Sequence, residues 1–101
     1  MPAPFNIDNY QSGVHTVTPT ASQLFTGDVW DTGATQVTLQ NDGSVDVYLG
    51  KDSGVSSSTA FYRLGAGEIV SDDSYQGNLW VVTASSTASL RYEASPKRGR
   101  P

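Results

Sequence analysis

The chain of 101 residues contains no cysteine, one histidine and one methionine. The absence of cysteine excludes disulfides and thiolate metal sites, and a zinc ion would find no sufficient set of ligands. Hydrophobic residues make up 37% of the chain, less than the roughly 45–50% of ordinary domains, even allowing for the glycine counted in that average. A small domain with little core and no cross-links often completes its burial by oligomerisation or against a partner.

Long apolar runs and targeting segments are also missing. No stretch approaches the roughly 20 apolar residues of a transmembrane helix. The first eight residues, MPAPFNID, have neither the cationic start nor the apolar run of a signal peptide. We therefore expect a protein that does not enter a membrane and that stays in the cytoplasm where it is made until the cell lyses.

Positive charge is scarce in the body of the chain. Residues 1–95 carry all ten acidic residues but only three of the six basic ones; the other three lie in residues 96–101. An acidic body does not suit a phosphate backbone, so we expect no nucleic-acid partner. Residues 96–101 begin and end with proline and hold no apolar residue, which predicts a disordered basic tail.

Short Val- and Thr-rich runs between Gly, Ser and Asp clusters predict an all-β domain. We expect a small antiparallel β-sandwich or barrel of about seven short strands over residues 14–95, preceded by an extended N-terminal arm over residues 1–13. The expected strands, which include one short piece at 23–25, are Val14–Thr18, Gln23–Phe25, Gln36–Gln40, Val45–Gly50, Ala60–Leu64, Glu68–Ser71, Leu79–Ala84 and Ser89–Glu93.

Two segments carry hairpin signals. At Asn41-Asp42-Gly43, a three-residue loop with Gly43 in the left-handed conformation would pair Leu39 with Val45. We therefore predict a β-hairpin there, and a second one at residues 85–87. Both faces of the strand at 79–84 carry apolar residues, which indicates burial on both faces or one face in an interface.

The chemistry of catalysis has few candidates. His15 is the only histidine, and we expect it to be an ordinary surface residue of the first strand. Most carboxylates lie in turn-like contexts, including Asp72-Asp73, where aspartate bonds nearby backbone N–H groups. We expect no enzymatic activity, no cofactor and no metal site.

The aromatic residues suggest contact surfaces. We expect Phe61 and Trp80 in the core, whereas Tyr48 points outward if Val47 and its alternating neighbours point inward. Trp30 lies between two aspartates in a Gly-rich segment. Large exposed rings mark interfaces or, on a carbohydrate-binding module, platforms for sugars.

Three runs, from Val37 to Gly50 (VTLQNDGSVDVYLG), from Tyr62 to Glu68 (YRLGAGE) and from Gly77 to Glu93 (GNLWVVTASSTASLRYE), resemble small all-β virion proteins of tailed bacteriophages. The resemblance covers about 60 residues. It implies a non-enzymatic structural protein of the particle. Such modules recur in capsid decoration (cement) proteins, in head fibres, and in tail or head–tail accessory proteins.

On this resemblance the expected function is capsid decoration: a homo-oligomer, with a trimer favoured, on the capsid surface of the virion, after synthesis in the host cytoplasm. The expected partner is the major capsid protein or another virion protein. Expected contact residues are Phe5, Ile7 and Tyr10 of the arm, because spaced apolar residues can add a strand to a neighbour or fill its grooves, together with Trp30 and Tyr48. A carbohydrate-binding module that uses Trp30 and Tyr48 on a glycan stays open as the alternative of a different class.

Overall fold

The computed structural model describes residues 11–24, 35–75 and 78–96, which contain eight β-strands and no helix. The strands are β1 Gln11–Val17, β2 Ser22–Gln23, β3 Thr35–Asn41, β4 Val47–Gly50, β5 Tyr62–Leu64, β6 Ile69–Tyr75, β7 Trp80–Val82 and β8 Ala88–Pro96. Each overlaps a run in which Val, Thr, Leu or Tyr predicts a strand. β1 begins inside the range assigned to the arm, and β8 ends at the first residue of the predicted tail.

The strands form two four-stranded sheets. The first sheet has the order β1-β8-β3-β6 and the second has the order β2-β7-β4-β5. Within each sheet, every pair of neighbouring strands is antiparallel. The two sheets face each other and do not close into a barrel. The predicted all-β sandwich is therefore confirmed.

The chain changes sheet at almost every connection. Of the consecutive strands, only β4 and β5 lie in the same sheet; the other described strands alternate between the first and the second. With these strand orders, this alternation is the topology of an eight-stranded jelly roll. Neighbouring strands in the sequence therefore mostly lie across the core from each other.

The predicted hairpin at residues 41–43 is wrong. β3 pairs with β6 and β8, and β4 pairs with β5 and β7, so residues 42–46 cross from one sheet to the other. Leu39 lies opposite Val70 and Tyr92 instead of Val45. Among the described glycines, only Gly13 and Gly67 have positive φ. Gly43 is needed for close packing instead, because a Cβ there would lie 2.7 Å from the Cβ of Ala88.

The predicted hairpin at residues 85–87 is wrong for the same reason, since β7 and β8 lie in different sheets. The connection between β5 and β6 also crosses. It is a tight turn in which Glu68 N donates to Gly65 O at 3.0 Å. Gly67, the third residue of this turn, has φ +80°, which a type II turn requires and glycine adopts without a steric penalty.

Buried Asn41 ties two of these crossings to the end of β3. Its Nδ2 donates to the backbone oxygens of Val45 at 2.8 Å and of Leu64 at 2.9 Å, and its Oδ1 accepts from Gly43 N at 2.9 Å. Its backbone N donates to Glu68 O, and its backbone O accepts from Gly67 N. A fully buried amide is thus satisfied on every side, as burial of a polar group demands.

The core lies between the sheets and follows the alternation of the strands. Its buried members are Val17, Leu24, Val37, Leu39, Val47, Leu49, Leu64, Tyr75, Leu79, Val81, Ala88, Leu90 and Ala94. The outer face of the second sheet is partly covered too: Val55, from the loop after β4, packs on Gly50 so closely that a Cβ on that glycine would overlap it. Val81 and Val82, on opposite faces of β7, are both buried. Of the two arrangements expected for this strand, the structure shows burial on both faces.

The Asp72-Asp73 pair lies in β6 and not in the predicted turn. The register shifts between Thr35, opposite Tyr75, and Val37, opposite Asp72. Two residues of β6 therefore face one residue of β3, which is a β-bulge in an edge strand.

Candidate functional site

One side of the sandwich opens into an apolar cleft. β6 is the last strand of the first sheet and β5 is the last strand of the second, and the two flank a cavity of about 140 Å³ between the sheets. We call this region the β5–β6 edge. Its cleft is lined by Val37, Leu39, Leu49, Phe61, Tyr62, Val70, Ser71, Asp72, Tyr75 and Leu79.

The exposed apolar surface concentrates at this edge. Phe61 and Tyr62, which line the cleft, are 51% and 41% exposed. Ile69 of β6 is 62% exposed, but it lies beside Gln40 on the outer face of the first sheet. Among the described residues the other large hydrophobic side chain with high exposure is Val14, at 56%. Val14 lies on β1, at the opposite edge of the first sheet. Contiguous exposed apolar surface on an otherwise polar protein marks a contact site more often than single exposed side chains do.

Aromatic rings form one wall of the cleft. The rings of Phe61 and Tyr75 stack with centroids 6.1 Å apart, and Lys51 Nζ lies 4.2 Å from the centroid of Tyr75. Tyr75 donates its hydroxyl hydrogen to Asn78 O at 2.7 Å. Burial, with a smaller effect from the negative charge of Asp72, raises the pKa of Tyr75 to about 12. The phenol is therefore neutral at physiological pH and acts as a fixed hydrogen-bond donor.

The backbone of β6 is available at the same place. β6 runs for seven residues and pairs with β3 on one side only, and no described strand lies along its other side. Such a strand edge offers N–H and C=O groups to another extended segment. The site therefore combines a strand edge with a cleft for side chains.

The outer face of the first sheet is polar across its middle, with Ile69 and Val14 at its two edges. Thr38 Oγ1 and Ser71 Oγ lie 3.1 Å apart on it, and Arg91 Nε donates to Asp42 Oδ2 at 2.7 Å near its border. Exposed ion pairs and hydroxyl pairs of this kind contribute little to stability. Short polar side chains suit a face in contact with water.

His15 lies on the side of the sandwich opposite the β5–β6 edge. Its Nε2 lies 2.8 Å from Ser22 Oγ, so it joins β1 of the first sheet to β2 of the second. Partial burial lowers its pKa. It is half-buried and bridges the two sheets, in contrast to the solvent-facing residue predicted. Among the described residues there is no group of three or more His, Asp or Glu that could hold a metal ion.

Of the predicted contact residues the structure describes Tyr48, which does not line this cleft. Phe5, Ile7, Tyr10 and Trp30 lie outside the described residues. Tyr48 is half-buried on the outer face of the second sheet, opposite Arg63 and Val82.

Two predictions about aromatic residues were wrong. Phe61 is exposed at the edge, and Trp80 is half-buried outside the core. Sequence reasoning missed the cleft because a strand's position at a sheet edge is set by its distant partners. The one signal in the sequence was the adjacent pair Phe61-Tyr62. Neighbouring side chains of a strand point to opposite faces, so the two rings cannot both be buried in the core from one strand.

Fold and site together define a jelly-roll β-sandwich with one open, apolar, aromatic-lined edge. No family model matches the chain, and neither a curated protein nor a solved structure matches it. The part of the chain that the structure describes has no helix that could cross a membrane.

Proposed function

We propose that this protein is a non-enzymatic structural protein of a phage particle, a capsid decoration protein that binds the major capsid protein and stabilises the head. The observation that carries the proposal is the β5–β6 edge: a strand edge and an apolar cleft on a body that is otherwise polar and acidic. This arrangement suits protein docking. The resemblance of residues 34–93 to small virion proteins supplies the setting.

The fold supports the same proposal. Eight-stranded jelly rolls recur in viral capsid proteins and in lectin domains, although a fold by itself does not decide a function. Polar outer positions favour solubility and oppose self-aggregation. A small core that gains burial against a neighbour fits a protein whose weak contacts are repeated over a symmetric shell.

Co-sedimentation with purified phage heads that lack the protein tests this function. We expect the protein to bind at a saturable, fixed ratio to the major capsid protein and to raise the temperature at which heads release their DNA. Binding absent at concentrations that saturate an authentic decoration protein would reject the proposal. Electron cryo-microscopy of virions separates decoration from the head-fibre, tail or head–tail accessory alternatives.

A matched pair of variants tests the role of the edge. Ile69 and Val14 lie in the same cross-strand row of the first sheet, through Gln40 and Arg91, at its two opposite edges. They have similar exposure, 62% and 56%. We expect Ile69→Ser to weaken head binding and Val14→Ser to leave it unchanged. Equal binding by both variants would remove the outer face beside β6 from the mechanism.

The carbohydrate-binding alternative is favoured by one observation, the outward position of Tyr48 on a fold that also serves lectins. The exposed side of a half-buried ring can stack on a sugar face. A glycan array compares the wild type with Tyr48→Ala and Trp30→Ala. Glycan binding lost in both variants would support this alternative, and no binding by the wild type would dismiss it.

A further inference from the structure

The cleft at the β5–β6 edge has the size and lining for one aromatic side chain. Its volume is about 140 Å³, close to the ~150 Å³ of an apolar cavity that holds a benzene ring. Phe61 and Tyr62 flank it on one side, and β6 lies along the other with its outer side facing no described strand. The site therefore fits an extended segment that pairs with β6 and directs a ring inward.

The chain carries such a segment ahead of β1. Residues 1–10, MPAPFNIDNY, end where β1 begins at Gln11. Phe5 and Ile7 are two positions apart, so in an extended chain both side chains point to one side and the intervening Asn6 points to the other. We propose that residues 1–10 of a second copy of this chain bind along β6, with Phe5 in the cleft and Ile7 beside it.

The occupant must come from a second copy because the arm of the same chain is too short to place Ile7 beside the cleft. β1 and β6 are the outermost strands of the first sheet, so a strand added beside β6 lies four strand spacings from β1, about 19 Å. The four residue steps from Ile7 to Gln11 span at most about 14 Å. Ile7 of the same chain therefore cannot reach this edge.

Hydrogen-bond direction sets the orientation of the added segment. Asn41 N donates to Glu68 O, so the alternate residues of β3 that include Leu39 and Asn41 point their backbone groups toward β6. Val70 lies opposite Leu39 and points its N–H and C=O groups toward β3. The N–H and C=O groups of its neighbours Ile69 and Ser71 therefore point away from β3, toward the position of an added strand.

The prolines of the arm select a parallel alignment. In an antiparallel added strand, the residues whose side chains enter the cleft turn their N–H groups away from β6. The alternate residues, which include Pro4, would then have to donate backbone N–H hydrogens to β6, and proline has none. In a parallel strand with Asn6 beside Ser71, Ile7 N–H donates to Ser71 O and Phe5 O accepts from Ser71 N–H. Pro2 and Pro4 then have their missing N–H groups on the solvent side, where proline in an edge strand is tolerated.

The contact links copies head to tail. Each copy offers one arm and one edge, so the interface is heterologous and closes into a ring if the rotation between copies allows it. A ring of three would match the expected trimer. Both proposals use the β5–β6 edge: once an arm fills the cleft, the shell contacts what the ring leaves exposed there, including Ile69 on the outer face of the first sheet. A ring would also multiply weak contacts with a shell.

Disulfide trapping tests the contact directly, because the chain has no cysteine that could interfere. One preparation carries Asn6→Cys and another carries Ser71→Cys; the two are mixed under mild oxidation. Residues side by side on neighbouring strands have Cα atoms about 5 Å apart, within disulfide range. We expect most of the mixture to form a disulfide-linked heterodimer. The control replaces Ser71→Cys by Thr16→Cys, on exposed β1 at the opposite edge, and should yield little.

Light scattering after gel filtration supplies the second measurement. We expect an oligomer for the wild type and for Asn9→Ala, and a folded monomer, by circular dichroism, for Phe5→Ser with Ile7→Ser and for deletion of residues 2–10. A monomeric wild type, or equal trapping at positions 71 and 16, would overturn the proposal. Heads that still bind the protein after either result would leave the capsid function standing, so the two proposals can fail separately.

Discussion

Replacement of Asn41 by leucine would test the crossing topology through stability. Leucine is of similar size but leaves three backbone groups without a partner: the oxygens of Val45 and Leu64 and the N–H of Gly43. An unsatisfied buried polar group costs about 1–3 kcal/mol, and groups that water can partly reach cost less. The hydrogen bond to Leu64 O is buried, and those to Val45 O and from Gly43 N are partly buried. We therefore expect Asn41→Leu to lower the free energy of unfolding by about 3 kcal/mol.

That loss is a large part of the 5–15 kcal/mol by which domains of this kind are stable. It corresponds to a fall in melting temperature of roughly 12–24 °C for a chain of this length. Urea and thermal unfolding, followed by circular dichroism and by the fluorescence of half-buried Trp80, would measure it. The control is Thr38→Val, which removes one exposed hydroxyl contact with Ser71 and should cost less than about 0.5 kcal/mol.

A hairpin at residues 41–43 would give a different result. Its loop would be exposed to water, and a substitution at Asn41 would cost no more than an ordinary turn residue, about 1 kcal/mol. A loss for Asn41→Leu no larger than that of Thr38→Val would refute the assignment of Asn41 as the tie between the two crossings.

Three further predictions concern packing, backbone conformation and pH. Gly50→Ala should cost about 1–3 kcal/mol in urea unfolding, because its Cβ would overlap Val55; no loss would mean that the loop does not cover the sheet. Gly67→Ala should cost about 1–2 kcal/mol, since alanine disfavours φ +80°, and a neutral effect would contradict the type II turn. The raised pKa of Tyr75, about 12, means that the unfolded chain loses its phenol proton first, near pH 10, so stability falls from pH 10 to about 12. Tyr75→Phe should remove that part of the fall, and an unchanged pH profile would argue against the buried phenol.

The amino-acid sequence alone determined the class of the fold and the positions of the strands. Residues 36–40 and 89–93 both alternate apolar and polar side chains as an extended strand requires, and the first run also has the β-branched Val37 and Thr38. The turn at Leu64–Glu68 needs Gly67 whatever follows. These are local properties. They do not depend on which strands lie side by side.

Tertiary structure alone decided the pairing of the strands and hence the site. Leu39 and Val45 match as well across a core as across a hairpin, because both arrangements place apolar side chains on the same inner surface. Buried Asn41 and the close approach of Gly43 to Ala88 favour the crossing, and both depend on residues more than 20 positions away. Phe61 is exposed because β5 is the last strand of its sheet, and the order of strands in a sheet is not written in any single segment of the chain.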